Sequence, residues 1–283
     1  MSTDSRKRSF VASEPVYLAI ALAAAAAFAF PIFFMVTSAF KAEGEIQAIP
    51  MHWLPWDFQG LAHFERAGTI APLWRYFLNS MIFALTHVAA TVFFGAMAGY
   101  GFAKFAFPGR GILFFAVIST MMVPFQILVI PLFIEINFFG WQNSYAGLLV
   151  PGLINAFGVF MMRQYVAELP DELIEAARVD GASEPYIFLR IILPLLGPAL
   201  TSLGIIVFVW SWGAFLWPLV SVQDRSLYVL SIGLSGYVQP YNQEPMWGPA
   251  MAASTIATIP IACLFVFLQR YFIKGLTAAA VKG

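Results

Sequence analysis

The chain has 283 residues, of which 60% are hydrophobic and only 11% are charged, and its mean hydropathy is +0.79. A water-soluble domain does not have this composition, which indicates a protein whose solvent is largely lipid. The 15 Lys and Arg balance the 15 Asp and Glu, and no nucleic-acid partner is expected. The single cysteine, Cys263, cannot form an intrachain disulfide.

Six mostly apolar runs of about 20 or more residues follow one another, each long enough for a helix to cross the hydrocarbon layer. They cover residues 16–40, 77–103, 111–135, 144–163, 196–221 and 250–273. The first run is too long for the apolar stretch of a signal peptide. Gly and Pro interrupt the second, third and fourth runs, which helices within a bundle tolerate. The sequence therefore predicts a single all-α, polytopic membrane domain over 1–283, with six transmembrane helices.

The connections between the runs differ in charge on the two sides of the membrane. Both termini lie on one side if there are six spans, and few of the 15 basic residues then fall on the other side: Lys41, Arg66, Arg75 and Arg225. The positive-inside rule therefore places both termini in the cytoplasm, with long external loops at 41–76 and 222–249. Residues in the middle of the second loop are either interfacial anchors or a docking surface for an external partner: Tyr237, Pro240 and Tyr241.

The segment 164–195, between the fourth and fifth runs, is the one long polar stretch on the inner side. Pro170 suits a first helical turn, the acidic residues after it favour the positive end of the helix dipole, and Gly181 ends the helix. A second short helix is expected to begin near Ser183 and to end at Pro194. Such short helices are marginal alone in water, so their apolar face needs a cover. The residues alone allow two interpretations, a knob that docks on a partner or an amphipathic hairpin on the lipid surface.

Residues at fixed offsets in this segment resemble the cytoplasmic signature of binding-protein-dependent ABC importer permeases: Glu175-Ala176-Ala177, Gly181, Ile191 and Leu193-Pro194. Other segments are similar to the carbohydrate-uptake, maltose-type branch, in particular to the shorter of its two partner permeases: 76–80, 98–103, 122–124 and 215–219. The resemblance extends over nearly the whole chain. It departs at Gly213-Ala214, where relatives often carry polar residues.

The resemblance implies that the signature segment forms a coupling helix seated in a groove of an ATPase subunit. The residues it implies for this coupling are Glu175, Ala176, Ala177, Asp180, Gly181, Ile191, Leu193 and Pro194, with Lys282 of the C-terminal tail as a further contact. The implied partners are a homologous second permease, two ATPase subunits that hold ATP and magnesium, an external solute-binding protein and membrane lipid. The implied location is the inner membrane of a prokaryote, and the implied solute is a sugar, a sugar alcohol, or glycerol phosphate or its diesters.

Polar residues inside the apolar runs are candidates for a path through the membrane. Gln126 and Asn155 lie deep in interrupted runs and either line a path for a hydroxylated solute or bond neighbouring helices. Trp212 is a third candidate for this path. His87, near the middle of the second run, is expected to be buried, neutral and hydrogen-bonded.

No catalytic chemistry is predicted for this chain. The sequence has no paired catalytic carboxylates, metal-ligand cluster, nucleophile elbow or phosphate-binding loop, so we expect a non-catalytic subunit without a metal or cofactor of its own. An intramembrane enzyme is therefore disfavoured, and the main alternative is a proton- or ion-coupled secondary carrier. Carriers usually have charges within the membrane and an internal repeat. Here Glu135 is the one acid within a run, and the two halves of the chain show no obvious self-similarity.

Overall fold

The computed structural model describes the backbone of residues 4–238 and 245–280, and the side chains of 15–238 and 245–267. This part of the chain is helical and contains no strand beyond an isolated bridge between Lys41 and Phe58. The α-helices are α1 (Asp4–Ser38), α2 (Glu43–Ile46), α3 (Ala62–Ile70), α4 (Leu73–Lys104), α5 (Arg110–Ser119), α6 (Phe125–Phe138), α7 (Tyr145–Leu149), α8 (Ala156–Ala167), α9 (Asp171–Val179), α10 (Glu184–Ile187), α11 (Leu193–Leu195), α12 (Gly197–Trp212), α13 (Leu216–Ser221), α14 (Leu230–Val238) and α15 (Trp247–Ala280).

Three stretches within these helices are long and apolar enough to cross a membrane: Pro15–Ser38, Leu73–Lys104 and Trp247–Phe267. Three bent pairs also pass the test of length and composition: Arg110–Met122 with Phe125–Phe138, Tyr145–Gly152 with Ala156–Ala167, and Glu184–Leu195 with Gly197–Trp212. If each bent pair is one span, the described residues contain six. The all-α polytopic class predicted from the sequence is confirmed.

Several element boundaries differ from the expected ones. The fifth apolar run is not one helix, because α12 ends at Trp212 and α13 begins only at Leu216. The second helix expected in the segment 164–195 ends one residue after Pro194, close to the predicted end. A π-helical turn over Phe188–Ile192 precedes this proline, and the helix continues to Leu195. The two expected external loops are partly helical, since they contain α2, α3 and α14.

The described chain groups into two compact units. The first contains residues up to Ala71 together with Leu234–Thr258, and the second contains Pro72–Gly233 and the residues from Ile259 onward. In the first unit, the Glu43 carboxylate accepts a hydrogen bond from the backbone N–H of Gly248 at 3.1 Å, at the beginning of α15. An acidic group is favourable there because the beginning of a helix carries unpaired N–H groups.

The second unit is built around close packing of α4 against α8. Gly95 and Gly99 are four residues apart on one face of α4, and both backbones meet α8 directly. A Cβ atom added to Gly99 would lie 2.7 Å from the backbone nitrogen of Arg163, and one added to Gly95 would lie 3.1 Å from the carbonyl carbon of Gly158. Small residues at this spacing allow membrane helices to approach closely. The pair therefore forms the frame on which the rest of this unit is arranged.

Candidate functional site

The broken helix formed by α7 and α8 leaves backbone carbonyls without helical partners, and neutral side chains from other helices bond to them. His87 Nε2 lies 2.9 Å from the carbonyl oxygen of Leu149, and Thr91 Oγ1 donates to that of Leu153 at 3.1 Å. The indole N–H of Trp217 donates to Leu148 at 3.1 Å. An unpaired carbonyl is costly in hydrocarbon, so these donors make the break possible.

His87 has a fixed role in this arrangement. Since its Nε2 faces a carbonyl oxygen, that nitrogen carries the proton, and Nδ1 accepts from the Ser211 hydroxyl at 3.4 Å. Its ring also packs edge-on against Phe83, with ring centroids 4.2 Å apart. The geometry is that of a neutral, hydrogen-bonded histidine, in agreement with the prediction from the sequence.

Three breaks in helical structure meet around a cavity of about 670 Å³. The first, at Pro124, separates α5 from α6, which are bent by 103°. Val123, just before this proline, is extended, as the proline ring favours. The second break is before α8 and the third is between α12 and α13. The lining residues at the breaks are Met121, Val123 and Phe125, then Gly152, Ile154, Asn155 and Ala156, then Ser211, Ala214, Phe215 and Leu216.

The cavity has aromatic walls and a few neutral polar groups. Trp210 and Phe157 form an edge-to-face pair in its wall, with centroids 5.1 Å apart. The polar lining residues are His87, Thr120, Asn155 and Ser211. No Asp, Glu, Lys or Arg is among the described residues that line it. A wall of this kind suits an uncharged molecule with both apolar faces and hydroxyl groups.

Only one of the three expected path residues lies at this cavity. Asn155 lines it, and its Oδ1 caps α8 by accepting from Gly158 N at 2.8 Å, which leaves the amide NH₂ for a ligand. Gln126 is exposed and does not line the cavity, although its neighbour Phe125 does. Trp212 is buried and stacks on Phe208 at 5.6 Å. Trp210 faces the cavity instead, because two residues rotate a helix by more than half a turn.

The segment between α8 and α12, expected from the sequence to be cytoplasmic, forms a knob, which we define as residues 171–195. Gly181 ends its first helix with φ of +80°, and Ala182 N donates to Ala177 O at 2.9 Å, as the sequence predicts for a glycine stop. The apolar face of the knob is covered by the chain itself. Ile174 and Ile187 are buried in the same core as Met162 of α8.

Paired charges fasten the knob to the end of α4. The Glu184 carboxylate accepts from the Tyr100 hydroxyl at 2.8 Å and from Arg178 Nε at 2.6 Å. Arg178, by this hydrogen bond, holds the pKa of Glu184 below its usual range. Lys104 forms a second fastening, since its Nζ lies 2.5 Å from Asp171 Oδ1. The Glu184 carboxylate therefore joins both helices of the knob, α9 and α10, to α4. Arg178 and Glu184 are six residues apart and lie on different helices, so no local spacing rule indicates this pair.

The outer surface of the knob contains most of the residues implied for coupling. Those exposed are Glu175, Ala176, Asp180, Gly181 and Pro194. Val179 is 87% exposed and was not singled out from the sequence, although it stands between the signature residues. Ala177, by contrast, is buried, so it supports the knob from inside rather than offering a contact. Ile191 and Leu193 are half-buried and pack on the core.

Of the expected external docking residues, only Tyr237 lies within the described part of the chain, and it is not at the surface. Tyr237 is fully buried, and its hydroxyl donates to Ala67 O at 2.7 Å, so it cannot meet another protein through its side chain. Pro240, Tyr241 and Lys282 lie outside the described residues. The described part of the chain has no group of three or more His, Cys, Asp or Glu side chains that could hold a metal ion.

Comparison with known proteins identifies the family. The model of the binding-protein-dependent transport system inner membrane component matches residues 91–278, which is most of the chain. The chain belongs to this family. This permease is thus an inner-membrane transport component, as the signature residues predicted.

Relatives and a solved structure extend the comparison. The permease is 40% identical over 210 residues to the arabinooligosaccharides transport system permease protein AraQ of Halalkalibacterium halodurans, covering 74% of this chain and 75% of the relative. It is 35% identical to AraQ of Bacillus subtilis, over 90% of each chain. It is 32% identical to the sn-glycerol-3-phosphate transport system permease protein UgpE of Salmonella typhi, over 87% of this chain and 90% of the relative.

The fold of the permease matches that of a crystal structure of a bacterial ABC transporter involved in the import of the acidic polysaccharide alginate. The match has a TM-score of 0.82 and 22% identity, and it covers 96% of this chain and 99% of the other. At this identity, the likeness supports the fold alone.

Proposed function

We propose that this permease is one transmembrane half of an ATP-driven importer for an uncharged sugar or polyol. In this proposal the solute passes through the cavity at the helix breaks, and a separate ATPase subunit docks on the exposed surface of the knob. Both termini lie in the cytoplasm, a homologous permease forms the other half, and an external binding protein delivers the solute. ATP and magnesium are held by two ATPase subunits, and this chain catalyses no reaction. Family membership sets the secondary-carrier alternative aside.

The observation that best supports coupling is that the knob and the spans share one core. Ile174 and Ile187 of the knob pack in the same cluster as Met162 of α8 and Leu203 of α12. Glu184 adds a polar link to α4. A close-packed core transmits displacement rather than absorbing it. A push on the knob therefore moves the helices that line the cavity.

Replacing Val179 tests the docking surface. Because this side chain is 87% exposed, Val179→Asp leaves the core intact and places a charge where the ATPase would pack. We expect the variant to lose co-purification with the ATPase and to lose transport, while Val179→Ile keeps both. If the Val179→Asp variant co-purifies with the ATPase as well as the parent chain does, the knob is not the docking site. ATP hydrolysis by the isolated, purified chain would contradict the non-catalytic role.

The cavity supports an uncharged solute. The relatives divide between arabinooligosaccharides, which are neutral, and sn-glycerol-3-phosphate, which is an anion. A buried phosphate needs cationic partners, most often Arg or Lys. The described cavity lining has none, whereas Trp210 and Phe215 offer aromatic faces and Asn155 and Ser211 offer hydrogen bonds.

Uptake by the complete transporter in proteoliposomes tests this assignment. We expect uptake of neutral oligosaccharides and not of glycerol phosphate, and we expect Trp210→Ala to reduce it while basal ATP hydrolysis persists. Trp74→Ala is the matched control, because Trp74 is exposed and does not line the cavity. Equal losses in the two variants would show that the cavity is not the solute site. Efficient uptake of glycerol phosphate would show that the solute class is wrong.

A further inference from the structure

The segment that follows α1 has an inverted distribution of polarity. Lys41 is fully buried, and its Nζ lies 2.7 Å from the carbonyl oxygen of His52. The side chain of Glu45 is largely buried and accepts from the backbone N–H of Trp56 at 2.8 Å. These charged groups point into the segment and hold its backbone in place.

The large apolar side chains of the same segment point outward. The exposed ones within residues 49–61 are Ile49, Met51, Trp53, Leu54, Trp56, Phe58 and Leu61. Ile49 is 99% exposed and Trp56 is 81% exposed. Apart from His52, the one ionisable side chain in this range is Asp57. A segment that faces water usually has the opposite arrangement, with its polar side chains outside and its large apolar side chains inside.

One contact indicates the depth at which this segment lies. The Trp53 ring packs against Phe30 of α1, with ring centroids 5.1 Å apart. Phe30 is eight residues before the end of α1 at Ser38, which corresponds to about 12 Å along a helix. Phe30 is itself exposed and lies within the stretch Pro15–Ser38, which is apolar enough to span a membrane. The segment therefore folds back beside the span instead of extending away from it.

We propose that residues 49–61 are a membrane anchor, inserted in the lipid leaflet at the C-terminal end of α1. Lipid fits this surface because the apolar exposure continues directly from the exposed face of a span, and because Trp is favoured at the boundary between acyl chains and headgroups. The internal bonds of Lys41 and Glu45 satisfy charged groups that lipid could not solvate. The expected external loop at 41–76 is then partly a lipid-embedded element.

Site-directed spin labelling of the assembled transporter in lipid vesicles tests the proposal. In a Cys263→Ser background, Ile49→Cys and Trp56→Cys each carry one nitroxide label. Gln223→Cys is the control, because Gln223 is exposed in a polar segment outside the candidate spans. Collision with oxygen, which dissolves in lipid, is compared with collision with a water-soluble nickel chelate. We expect the ratio of oxygen to nickel collisions at 49 and 56 to exceed that at 223 several-fold.

Two results would overturn the anchor. Nickel collisions at 49 and 56 equal to those at 223 would place the segment in water, and few collisions with either reagent would place it under another protein subunit. A second measurement avoids labelling. Brominated lipids quench the fluorescence of tryptophans that lie within the membrane. If Trp56 is one of these, Trp56→Phe should lower the fraction of the transporter's tryptophan fluorescence that brominated lipid quenches. An unchanged quenched fraction would contradict the proposal.

Discussion

The cavity and the knob satisfy their polar groups in opposite ways. Around the cavity, neutral side chains such as His87 and Thr91 bond to backbone carbonyls left open by helix breaks. In the knob, charged side chains bond to one another, as Arg178 does to Glu184. The difference follows from the solvent. Ions are costly in hydrocarbon, whereas an ion pair beside water needs little compensation. The broken helices at the cavity are therefore stabilised by neutral hydrogen-bond donors, whereas the helices of the knob can be joined by ion pairs.

The largest effect should come from the packing of α4 on α8, which both regions require. Gly99→Leu forces a side chain against the backbone of Arg163, so we expect a loss of about 3 kcal/mol or more in the free energy of unfolding, or no folded protein. Gly101→Leu is the matched control, since a Cβ there meets nothing within 4 Å. Yield and melting temperature in detergent measure both. A stable Gly99→Leu protein would show that the frame is looser than described.

The next effect concerns the cavity. His87→Leu leaves the Leu149 carbonyl without its donor, so we expect a loss of about 1–3 kcal/mol, seen as a lower melting temperature and reduced transport. His87→Gln retains an N–H donor and should recover part of the loss. If the His87→Leu and His87→Gln variants lose equal stability, the hydrogen bond to the Leu149 carbonyl does not stabilise the helix break.

A smaller effect is expected in the knob. Glu184→Ala removes the acceptor for Tyr100 and Arg178, but both charged side chains are about 40% exposed, so the change in stability should be below about 1 kcal/mol. Its clearer consequence should be weaker coupling, measured as solute transported per ATP hydrolysed by the complete transporter. Glu172→Ala, on the same knob but without these bonds among the described residues, is the comparison. If Glu184→Ala leaves the solute transported per ATP unchanged, movement of the knob is passed to the spans by the apolar core alone.

The smallest effect is a pH dependence confined to the knob. The pKa of Glu184 is lowered by its hydrogen bond from Arg178, so the stabilisation is complete above the ordinary glutamate pKa of about 4.3. It is lost as the pH falls through the lowered value. Melting temperatures of the parent protein and Glu184→Gln should therefore differ by a constant amount from pH 8 to pH 6 and converge in strong acid. A difference that changes near neutral pH would point to another group.

The sequence was sufficient where one local rule decides the structure. Gly181 takes positive φ at the end of a helix, and three of the apolar runs become single helices of membrane length in the described residues, because each depends on neighbouring residues alone. It was insufficient where tertiary contacts decide. The residues next to Tyr237 in the sequence do not indicate that its side chain is buried against Ala67. Neighbouring residues likewise do not indicate that Trp210 rather than Trp212 faces the cavity. Helical phase around a break depends on packing partners far away in the chain.

The double use of Asn155 and His87 has a consequence for protein engineering. Each uses one polar atom to hold a helix break and has its other polar atom near the cavity, so a substitution made at either position to alter the proposed solute site also weakens the scaffold. Trp210 and Phe215 line the same space from α12 and the break that follows it, and they contribute ring faces rather than bonds to the backbone. Libraries aimed at a new cargo should therefore vary these aromatic positions first and keep the histidine and asparagine fixed.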